Sequence, residues 1–410
     1  MKISDLKVIC TAPEGIRLVI VKVETDSGVY GLGCATFTQW PLTVVSALEN
    51  YLRPLIIGRD PEDVADAWQA MYLSGYWRNG GVLNNAIAGV DQALWDIKGK
   101  LANKPVYDLI GGKTRNHLET YIHVNGQGAT EILENIEGLQ EKGFSNFRIQ
   151  VSLGSSSSYG SGTSFQSKYG MQTRQDYRLS LDQAPWNEES YITSTLNVLR
   201  EIREAKPKIG IIHDIHERIS PHKAIYFAKE VEDLGLIFLE DPFAPEDLEY
   251  LENLKVQCHT PIAIGELFSS AHEYLRVIKE RWIDFIRCHI TQIGGFTPAH
   301  KLIHVAESFG VKTAWHGPGD LSPIGHAAQM HLGAIAGNFG IQEVYLHSEK
   351  SEIVFKGIPE ISRGNVEIND RPGFGIDMDF EAALEFPFPK HPYNGAWPEI
   401  RREDGTIIRP

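Results

Sequence analysis

Two patterns of hydrophobic and polar positions divide the chain near residue 115. Before this point, apolar runs at residues 18–24 and 29–33 flank the turn signal Asp26-Ser27-Gly28 and predict two strands. Apolar positions at helical spacing then predict helices over residues 42–51, 61–72 and 84–101. Residues 1–115 are therefore expected to form an α+β domain.

From about residue 119, short apolar runs alternate with amphipathic stretches. The runs predict eight strands, which read TYIHV, NFRIQV, IGIIHDIH, LIFLEDPF, PIAIGEL, DFIRCHIT, VKTAWHG and QEVYL. Apolar strands that alternate with helices are typical of an α/β fold in which helices cover a parallel sheet. Eight such units over residues 116–350 favour a closed (β/α)₈ barrel of the TIM type. An open doubly wound sheet is the alternative.

Two segments depart from this alternation. Residues 152–190 form a long insertion, rich in Ser, Gly and Tyr, directly after the second barrel strand. Active sites of barrel enzymes lie on the loops that follow the strands, so we expect an active-site loop, with a surface insertion as the alternative. Residues 351–410 are rich in Pro and Gly and are expected to pack back on the first domain.

Composition and charge narrow the class of protein. The chain has 410 residues, of which 42% are hydrophobic and 22% charged, as is typical of a globular protein with two domains. A net charge of −14 argues against binding to nucleic acid or to an anionic membrane. Scattered cysteines, and the lack of a signal peptide or membrane span, lead us to expect reduced thiols and a cytoplasmic protein.

Three carboxylates carry the strongest chemical signal. Asp214, Glu240 and Glu266 end three consecutive predicted strands and are spaced 26 residues apart. This spacing is about one βα unit, so the three side chains are expected at the same height around the barrel. A divalent cation would relieve their repulsion, and oxygen ligands select a hard ion such as Mg²⁺. Three unrelated acids, each paired with a Lys or Arg, are the alternative.

Other polar residues are expected on the same inner face of the barrel. Because residues two apart in a strand share a face, His216 should join Asp214, whereas Asp241 should point away. Further polar residues lie on other predicted strands: His123, Arg148, Gln150, Arg287, His316 and Glu343. Histidines at three strand ends favour a functional role over three satisfied core histidines.

Taken together, these residues resemble the enolase superfamily, in which an α+β capping domain precedes a barrel carrying Asp, Glu and Glu on successive strands. Within it, the chain is similar to the mannonate dehydratase subgroup, which includes proteins labelled starvation-sensing. The similarity covers nearly the whole chain. Its specific marks are Arg148-x-Gln150, Asp214-x-His216, Tyr159 in the long loop, and the sequence HGPGD at residues 316–320.

This resemblance implies a hydro-lyase that uses one Mg²⁺ per active site and acts as a homo-oligomer. The substrate would be D-mannonate or D-gluconate, and the product 2-keto-3-deoxy-D-gluconate. Tyr159 would remove the C2 proton, with Arg148 lowering its pKa, and His216 would protonate the departing hydroxyl. The resemblance also implies substrate contacts from cap, barrel and tail: Thr38, Gln39, His123, Arg287, His316, Asp320, Glu343 and Trp397.

A different role for the same barrel stays open. Members of the subgroup that handle mannonate well tend to carry an Asn near the place where this chain has Thr38-Gln39, and an Ala in place of Pro318. A paralogue with little or no dehydratase activity, and a regulatory or other acid-sugar ligand role, is therefore the alternative function.

Racemisation or epimerisation is a further alternative. The related racemase and cycloisomerase groups carry Lys-x-Lys where this chain has Arg148-x-Gln150. The racemase group also places an Asp where this chain has His289, ahead of the Gly-Gly pair of strand six. Both differences weaken this alternative.

Overall fold

The computed structural model describes residues 1–152, 185–317, 319–389 and 400–409. Most of the predicted active-site loop, including Tyr159, lies outside these residues, as do Pro318 and Trp397. None of the helices within these ranges combines the length and the hydropathy that a membrane span requires.

The N-terminal domain is an antiparallel sheet packed against helices. Its strands are β1 (Ile3–Thr11), β2 (Leu18–Thr25) and β3 (Tyr30–Cys34). Its helices are α1 (Pro41–Ala47), continued by a π-helix over Leu48–Leu52, then α2 (Arg53–Ile56), α3 (Val64–Leu73), α4 (Gly81–Ala102) and α5 (Val106–Leu109). The two predicted strands and three predicted helices are present with shifted ends. Strand β1 was not predicted, because a bulge between Ile3 and Asp5 interrupts its alternation.

Helix α4 lies directly against β3. A Cβ added at Gly33 would lie 1.9 Å from the carbonyl oxygen of Gly89 on that helix. The backbones approach so closely that only glycine fits at this position. The contact fixes the start of the segment at residues 34–40, which leaves β3 toward the barrel domain.

Eight strands form the barrel. They are β4 (His117–Gly126), β5 (Asn146–Val151), β6 (Gly210–Asp214), β7 (Phe238–Glu240), β8 (Ile262–Ile264), β9 (Phe285–Ile286), β10 (Lys312–Thr313) and β11 (Gln342–Glu343). Neighbours from β4 to β10 pair in parallel, and β11 pairs in parallel with β4. Backbone hydrogen bonds join Thr313 to residues 338–341, so the ring closes between β10 and β11. The closed barrel is confirmed, and the open sheet is wrong.

Helices cover the outside of this ring. They are α6 (Ala129–Glu141), α7 (Glu188–Ala205), α8 (Pro221–Glu230), α9 (Tyr250–Gln257), α10 (Ala271–Lys279), α11 (Phe296–Ser308) and α12 (Pro323–Ile335), with 3₁₀ turns at Glu232–Leu234 and Pro245–Asp247. Helix α7 begins within the predicted loop 152–190, because the Asn187 side chain caps it by accepting from the Ser190 N–H at 2.9 Å.

The C-terminal segment contacts both domains. Its elements are α13 (Glu349–Val354), β12 (Phe355–Lys356), β13 (Ile361–Ser362), β14 (Asn365–Glu367), β15 (Asp377–Met378), α14 (Phe380–Leu384), β16 (Ile400–Arg401) and β17 (Ile407–Ile408). The carbonyl of Phe386 accepts from Ala12 of the first domain at 2.7 Å. However, β14 pairs with the start of β4, and residues 400–409 lie on the barrel, where the Arg401 carbonyl accepts from Trp186 at 2.7 Å. The expectation that residues 351–410 pack on the capping domain holds for only part of them, because β4 offers an edge that β14 covers.

The cysteines are unpaired. Cys34, Cys258 and Cys288 are buried and Cys10 is partly buried. Burial raises the pKa of the Cys288 thiol well above its usual value, which makes the thiolate scarce. These residues therefore behave as small apolar side chains, as expected from their scattered positions.

Candidate active site

A ring of apolar side chains closes the floor of the barrel. Its members are Tyr121, Ile212, Phe238, Ala263, Phe285, Ala314 and Ile341. Polar residues follow two positions later in the pairs Tyr121/His123, Ile212/Asp214, Phe238/Glu240, Phe285/Arg287, Ala314/His316 and Ile341/Glu343. Side chains two residues apart share a strand face, so the polar residues form a layer directly above the floor, toward the carboxyl ends of the strands.

Two of the predicted metal ligands stand level in this layer. Asp214 and Glu240 are register partners on β6 and β7, and both side chains are fully buried. Together with Asp241 they offer oxygen atoms within 4.8 Å of one another. The buried Arg148 forms an ion pair with Asp214 and lies 3.2 Å from Glu240 Oε1.

Glu266 reaches the site from a different height. Glu240 pairs with Ala263 on β8, so Glu266 lies three residues further along the chain, beyond the end of that strand. The intervening Gly265 has a φ of +136°, a conformation that redirects the backbone. The expectation of three carboxylates at one height is therefore wrong for Glu266, although its side chain still turns toward the other two.

Arg287 joins these carboxylates. Its Nη1 lies 2.8 Å from Glu240 Oε1 and 2.9 Å from Glu266 Oε2, and its Nη2 lies 2.7 Å from Glu343 Oε2. Its Nε donates to the Tyr121 hydroxyl at 3.0 Å. Burial would lower the pKa of this guanidinium, but Glu240 and Glu343 outweigh burial and raise it, so Arg287 stays charged.

His216 and Asp241 enter the site through left-handed backbone. Strand β6 ends at Asp214, and His216 has a φ of +54°, so a turn rather than a continued strand brings its ring inward. Its backbone N–H donates to Asp214 Oδ1 at 2.7 Å, and its Nε2 lies 3.4 Å from Glu266 Oε1. Asp241 has a φ of +37° and faces the same carboxylates, so the expectation that it points away is wrong. Such conformations cost about 1–3 kcal/mol each and concentrate at functional sites.

His316 forms an ion pair with Glu266. Its Nε2 lies 3.1 Å from Glu266 Oε2. Burial would raise the pKa of Glu266, but His316 and His216 outweigh it and hold that pKa well below its usual value. Burial likewise would lower the pKa of His316, yet the Glu266 carboxylate raises it. The two groups therefore favour each other's charged forms.

Residues that were not predicted from the sequence hold the backbone around His316. The Gly317 N–H donates to Glu343 Oε2 at 2.8 Å, and Gln329 Nε2 donates to the His316 carbonyl at 2.5 Å. His326 donates from Nε2 to the Gly317 carbonyl at 2.5 Å. Gln329 and His326 lie on α12, one helical turn apart in the sequence, and nothing in that pattern distinguishes them from core residues of a buried helix.

His123 and Glu343 complete the layer where the barrel closes. His123 Nε2 contacts Glu343 Oε1 and lies 2.9 Å from Nη1 of Arg148. Burial would raise the pKa of Glu343, but Arg287 and His123 outweigh burial and hold it well below its usual value. Burial and the nearby Arg148 lower the pKa of His123.

The remaining predicted site residues lie at the rim or beyond the described residues. Asp320 faces His289, with Oδ1 at 3.7 Å from the histidine Nε2. Thr38 donates to Gln39 Oε1 at 3.1 Å, and no other hydrogen bond from either side chain occurs within residues 1–152, 185–317, 319–389 and 400–409. Tyr159 and Trp397 are outside those ranges, so their predicted roles stay predictions.

The carboxylate layer fits a hard divalent cation. Five carboxylates (Asp214, Glu240, Asp241, Glu266 and Glu343) surround two guanidinium groups, those of Arg148 and Arg287. Glu240 Oε2 is buried and has no hydrogen-bond partner within the described part of the chain. Burial raises the pKa of Glu240 well above its usual value although Arg148 and Arg287 oppose the shift, and burial together with Glu266 and Asp214 raises the pKa of Asp241. A cation that prefers oxygen ligands, such as Mg²⁺, would favour the ionised carboxylates and would give Glu240 Oε2 a partner.

Comparison with known protein families agrees with this architecture. Residues 3–111 match the family described as mandelate racemase / muconate lactonizing enzyme, N-terminal domain. Residues 132–383 match the family described as enolase C-terminal domain-like. Together these ranges span most of the chain, as the resemblance predicts.

Relatives with assigned names are similar over the full length. A D-galactonate dehydratase family member of Enterococcus gallinarum is 43% identical, over 100% of this chain and 98% of the relative. A member from Salmonella enteritidis is 44% identical, over 100% and 99%. A crystal structure of an enolase from Pantoea ananatis, with bound D-gluconate and Mg, superposes with a TM-score of 0.90 at 42% identity, over 100% of this chain and 99% of that one.

Proposed function

This chain belongs to the D-galactonate dehydratase family of the enolase superfamily, and from that premise we propose that it is a Mg²⁺-dependent dehydratase of D-mannonate or D-gluconate. The product would be 2-keto-3-deoxy-D-gluconate, which both acids give because dehydration removes the stereochemistry at C2 and C3. The coarser function, a hydro-lyase that acts on sugar acids, follows from the family. The identities of the substrate and of the product are our proposal.

One observation carries the proposal most directly. Asp214 and Glu240 stand in register, Glu240 Oε2 has no hydrogen-bond partner among the residues that the structure describes, and Arg287 links Glu240 to Glu266. The similar Pantoea ananatis enolase was solved with D-gluconate and Mg, ligands that suit an acidic site of this kind. A sugar acid brings a carboxylate and a 2-hydroxyl, which are hard oxygen donors for the same cation.

The metal would be held by Asp214, Glu240 and Glu266. When bound, Mg²⁺ would supply positive charge against the ene-diolate that develops as the substrate loses its C2 proton. Asp241 offers an oxygen within 4.8 Å of oxygens of Asp214 and Glu240, so it would help to orient these two ligands. Arg287 orients Glu240 and Glu266 by contacting both.

His216 is proposed as the general acid. Its ring is buried, and the Asp214 carboxylate and the Glu266 carboxylate hold its backbone and its Nε2 respectively. A group fixed in this way can deliver a proton from Nε2 to the 3-hydroxyl as the C3–O bond breaks and water leaves. The remaining enol then takes a proton at C3 and becomes the 2-keto acid.

Tyr159 is proposed as the base that removes the C2 proton. This assignment rests on the resemblance, since Tyr159 is outside the described residues. A phenol has a pKa near 10, so it needs a nearby cation to act at neutral pH, and Arg148 is proposed as that cation. His123, Arg287, His316, Asp320 and Glu343 are proposed to contact the substrate, with Thr38, Gln39 and Trp397 closing the site from the cap and the tail.

The test is product formation by the purified protein with Mg²⁺ and a panel of C5 and C6 sugar acids. D-mannonate, D-gluconate and D-galactonate come first. The 2-keto-3-deoxy product of D-galactonate differs at C4 from that of the other two, so the panel separates the family's named substrate from the proposed ones. In D₂O, a dehydratase places deuterium at C3 of the product, whereas an epimerase places it at C2 of recovered substrate.

The matched control is Asp66→Asn, at an exposed ion pair with Arg59. It should keep full activity, while Asp214→Asn should lose it. Absence of 2-keto acid with every sugar acid, in protein shown to bind Mg²⁺, would contradict the proposed function and favour a regulatory or other ligand role.

A further inference from the structure

His289 lies beside the proposed active site and has no role in the mechanism above. It follows β9 and forms a parallel bridge with His316, whose backbone N–H donates to the Cys288 carbonyl at 3.2 Å. Its side chain is buried, and its ring centre lies 5.1 Å from that of His316. A buried imidazole in this position needs partners for both ring nitrogens.

The contacts of His289 fix its tautomer. Nδ1 receives the backbone N–H of Thr291 at 3.3 Å and lies 2.7 Å from the Thr291 hydroxyl oxygen. A backbone N–H can only donate, so Nδ1 carries a lone pair and the proton of the neutral ring is on Nε2. His289 therefore points an N–H group out of its pocket.

That N–H group faces Asp320. The distance from His289 Nε2 to Asp320 Oδ1 is 3.7 Å, and this oxygen is buried without a hydrogen-bond partner among the residues that the structure describes. A shift of less than about 1 Å would complete a normal bond. Burial would raise the pKa of Asp320, but His289 and then His316 outweigh it and lower the pKa, so the carboxylate is ionised.

A second metal site is the competing explanation for this cluster. His289, His316 and Asp320 each offer a ligand atom, and these atoms lie within 4.8 Å of one another. A histidine that binds metal through Nε2 must carry its proton on Nδ1 and donate it to an acceptor. Here Nδ1 accepts from the Thr291 backbone N–H, so it carries no proton to donate, and the Thr291 hydroxyl at 2.7 Å acts as a second donor to it. The tautomer thus favours a hydrogen bond to Asp320 over a metal.

We propose that His289 is a positioning residue that acts through Asp320: Thr291 sets its tautomer, and its Nε2–H binds Asp320 Oδ1 and aims the other carboxylate oxygen at a substrate hydroxyl. This inference rests on the proposed function, in which Asp320 contacts the sugar acid. It extends that function, because binding of the substrate by Asp320 would then depend on His289, which does not contact the substrate.

A double-mutant cycle tests the coupling. His289→Leu and Asp320→Asn are each expected to raise KM for the preferred sugar acid about tenfold, the loss of roughly one charge-assisted hydrogen bond, with little change in kcat. The double variant should be no worse than Asp320→Asn, because His289 has no other route to the substrate. Additive losses, or an unchanged KM in His289→Leu, would overturn the proposal.

Conservative variants separate positioning from packing. The amide of Gln reaches the position of Nε2, whereas the amide of Asn reaches only that of Nδ1, so His289→Gln should restore KM and His289→Asn should not. His331 supplies the control, since it is buried and its ring nitrogens contact the backbone of Tyr107 and Phe374, at 3.1 and 3.3 Å, rather than a site residue. His331→Gln should lower Tm without raising KM.

A spectroscopic measurement keeps the inference testable apart from turnover. In Mg²⁺-loaded protein labelled with ¹⁵N-histidine, the signal that disappears in His289→Gln should show protonated Nε2 and unprotonated Nδ1. Asp320→Asn should shift the Nε2 signal. If no sugar acid turns over but this signature is present, the proposed function fails and the His289–Asp320 contact stands.

A neutral His289 ring with its proton on Nδ1 would overturn the proposed contact with Asp320, whether or not the protein is active.

Zn²⁺ binding tests the competing explanation, a second metal site. Stoichiometric Zn²⁺ binding by Asp214→Asn protein that is lost on adding His289→Leu would show that the cluster is a metal site instead.

Discussion

Asp214 and Glu240 are register partners on the adjacent parallel strands β6 and β7. Each is the last residue of its strand, and each carboxylate is buried against Arg148. Regular backbone thus brings two carboxyl groups together at one point, where a cation would hold both in the ionised form, and this arrangement determines the expected effects of the following variants.

Asp214→Asn should abolish Mg²⁺ binding as well as turnover. In the wild-type protein, Mg²⁺ at about 100 times its Kd should add roughly 2.7 kcal/mol to the free energy of unfolding. Thermal unfolding with and without Mg²⁺ measures this stabilisation, and the variant should not show it. Tyr159→Phe should keep the stabilisation and lose turnover. A variant at Asp214 that still responds to Mg²⁺ would place the metal elsewhere.

Asp241→Asn should weaken Mg²⁺ binding without abolishing it. The Asp241 carboxylate faces Asp214 and Glu240, but Asp241 is the residue after Glu240 and is not itself a proposed ligand. Residues that support metal ligands typically change affinity by about 10–100-fold when they are replaced. Isothermal titration with Mg²⁺ measures the change. An unaltered Kd would mean that Asp241 is independent of the metal.

His216→Asn should separate the two halves of the reaction. Loss of a general acid typically lowers kcat by about 10²–10⁴-fold. Because Tyr159 is the proposed base, exchange of the C2 hydrogen with D₂O should continue while loss of the 3-hydroxyl slows. The exposed His222 gives a control variant, His222→Asn, with normal kinetics. Exchange that stops together with elimination would make His216 the base.

Arg287→Lys should destabilise the protein, because one ammonium group cannot bridge Glu240, Glu266 and Glu343. Breaking a buried ion pair typically costs about 3–5 kcal/mol. Denaturant titration measures the loss, which Mg²⁺ should partly reverse by neutralising the same carboxylates. The matched change at an exposed pair, Arg276→Lys beside Glu249, should cost less than about 1 kcal/mol.

His331 should make the fold sensitive to acid. Burial lowers the pKa of this histidine from 6.5 to about 4, against a small opposing effect of its bond to the Phe374 carbonyl. Between these values the unfolded chain binds a proton that the folded chain does not, so stability falls as pH decreases from 6.5 toward 4. The slope is at most about 1.4 kcal/mol per pH unit. The free energy of unfolding of His331→Gln should change less over this range, and an equal slope would contradict the assignment.

Much of the site follows from the two-residue period of strands. Asp214 and Glu240 were predicted to converge from their spacing of 26 residues at the ends of consecutive strands, and they do so because the buried Ile212 and Phe238, two residues earlier, share their strand faces. Closure of the barrel was predicted from the number of strand-like runs. Local periodicity sufficed in these cases because the backbone between the paired positions is regular.

The same rule failed where the backbone leaves the strand. Gly265 redirects the chain before Glu266, and the positive φ of Asp241 turns its carboxylate inward. Periodicity describes regular strands, so it cannot predict a side chain beyond the residue at which the strand ends. The His289 contact was missed for another reason, since it depends on two loops meeting, one that carries His289 with Thr291 and one that carries Asp320.

Closure of the barrel has a consequence for the order of events in folding. Strand β11 pairs with β4, and His123 meets Glu343 across 220 residues of sequence. Contacts of such long range carry a large loop entropy and form slowly, so the ring closes only after its other units are in place. The carboxylate layer is complete only once that closure has occurred. In a refolding experiment we therefore expect helical signal to recover first and enzyme activity to return later, with the last strand.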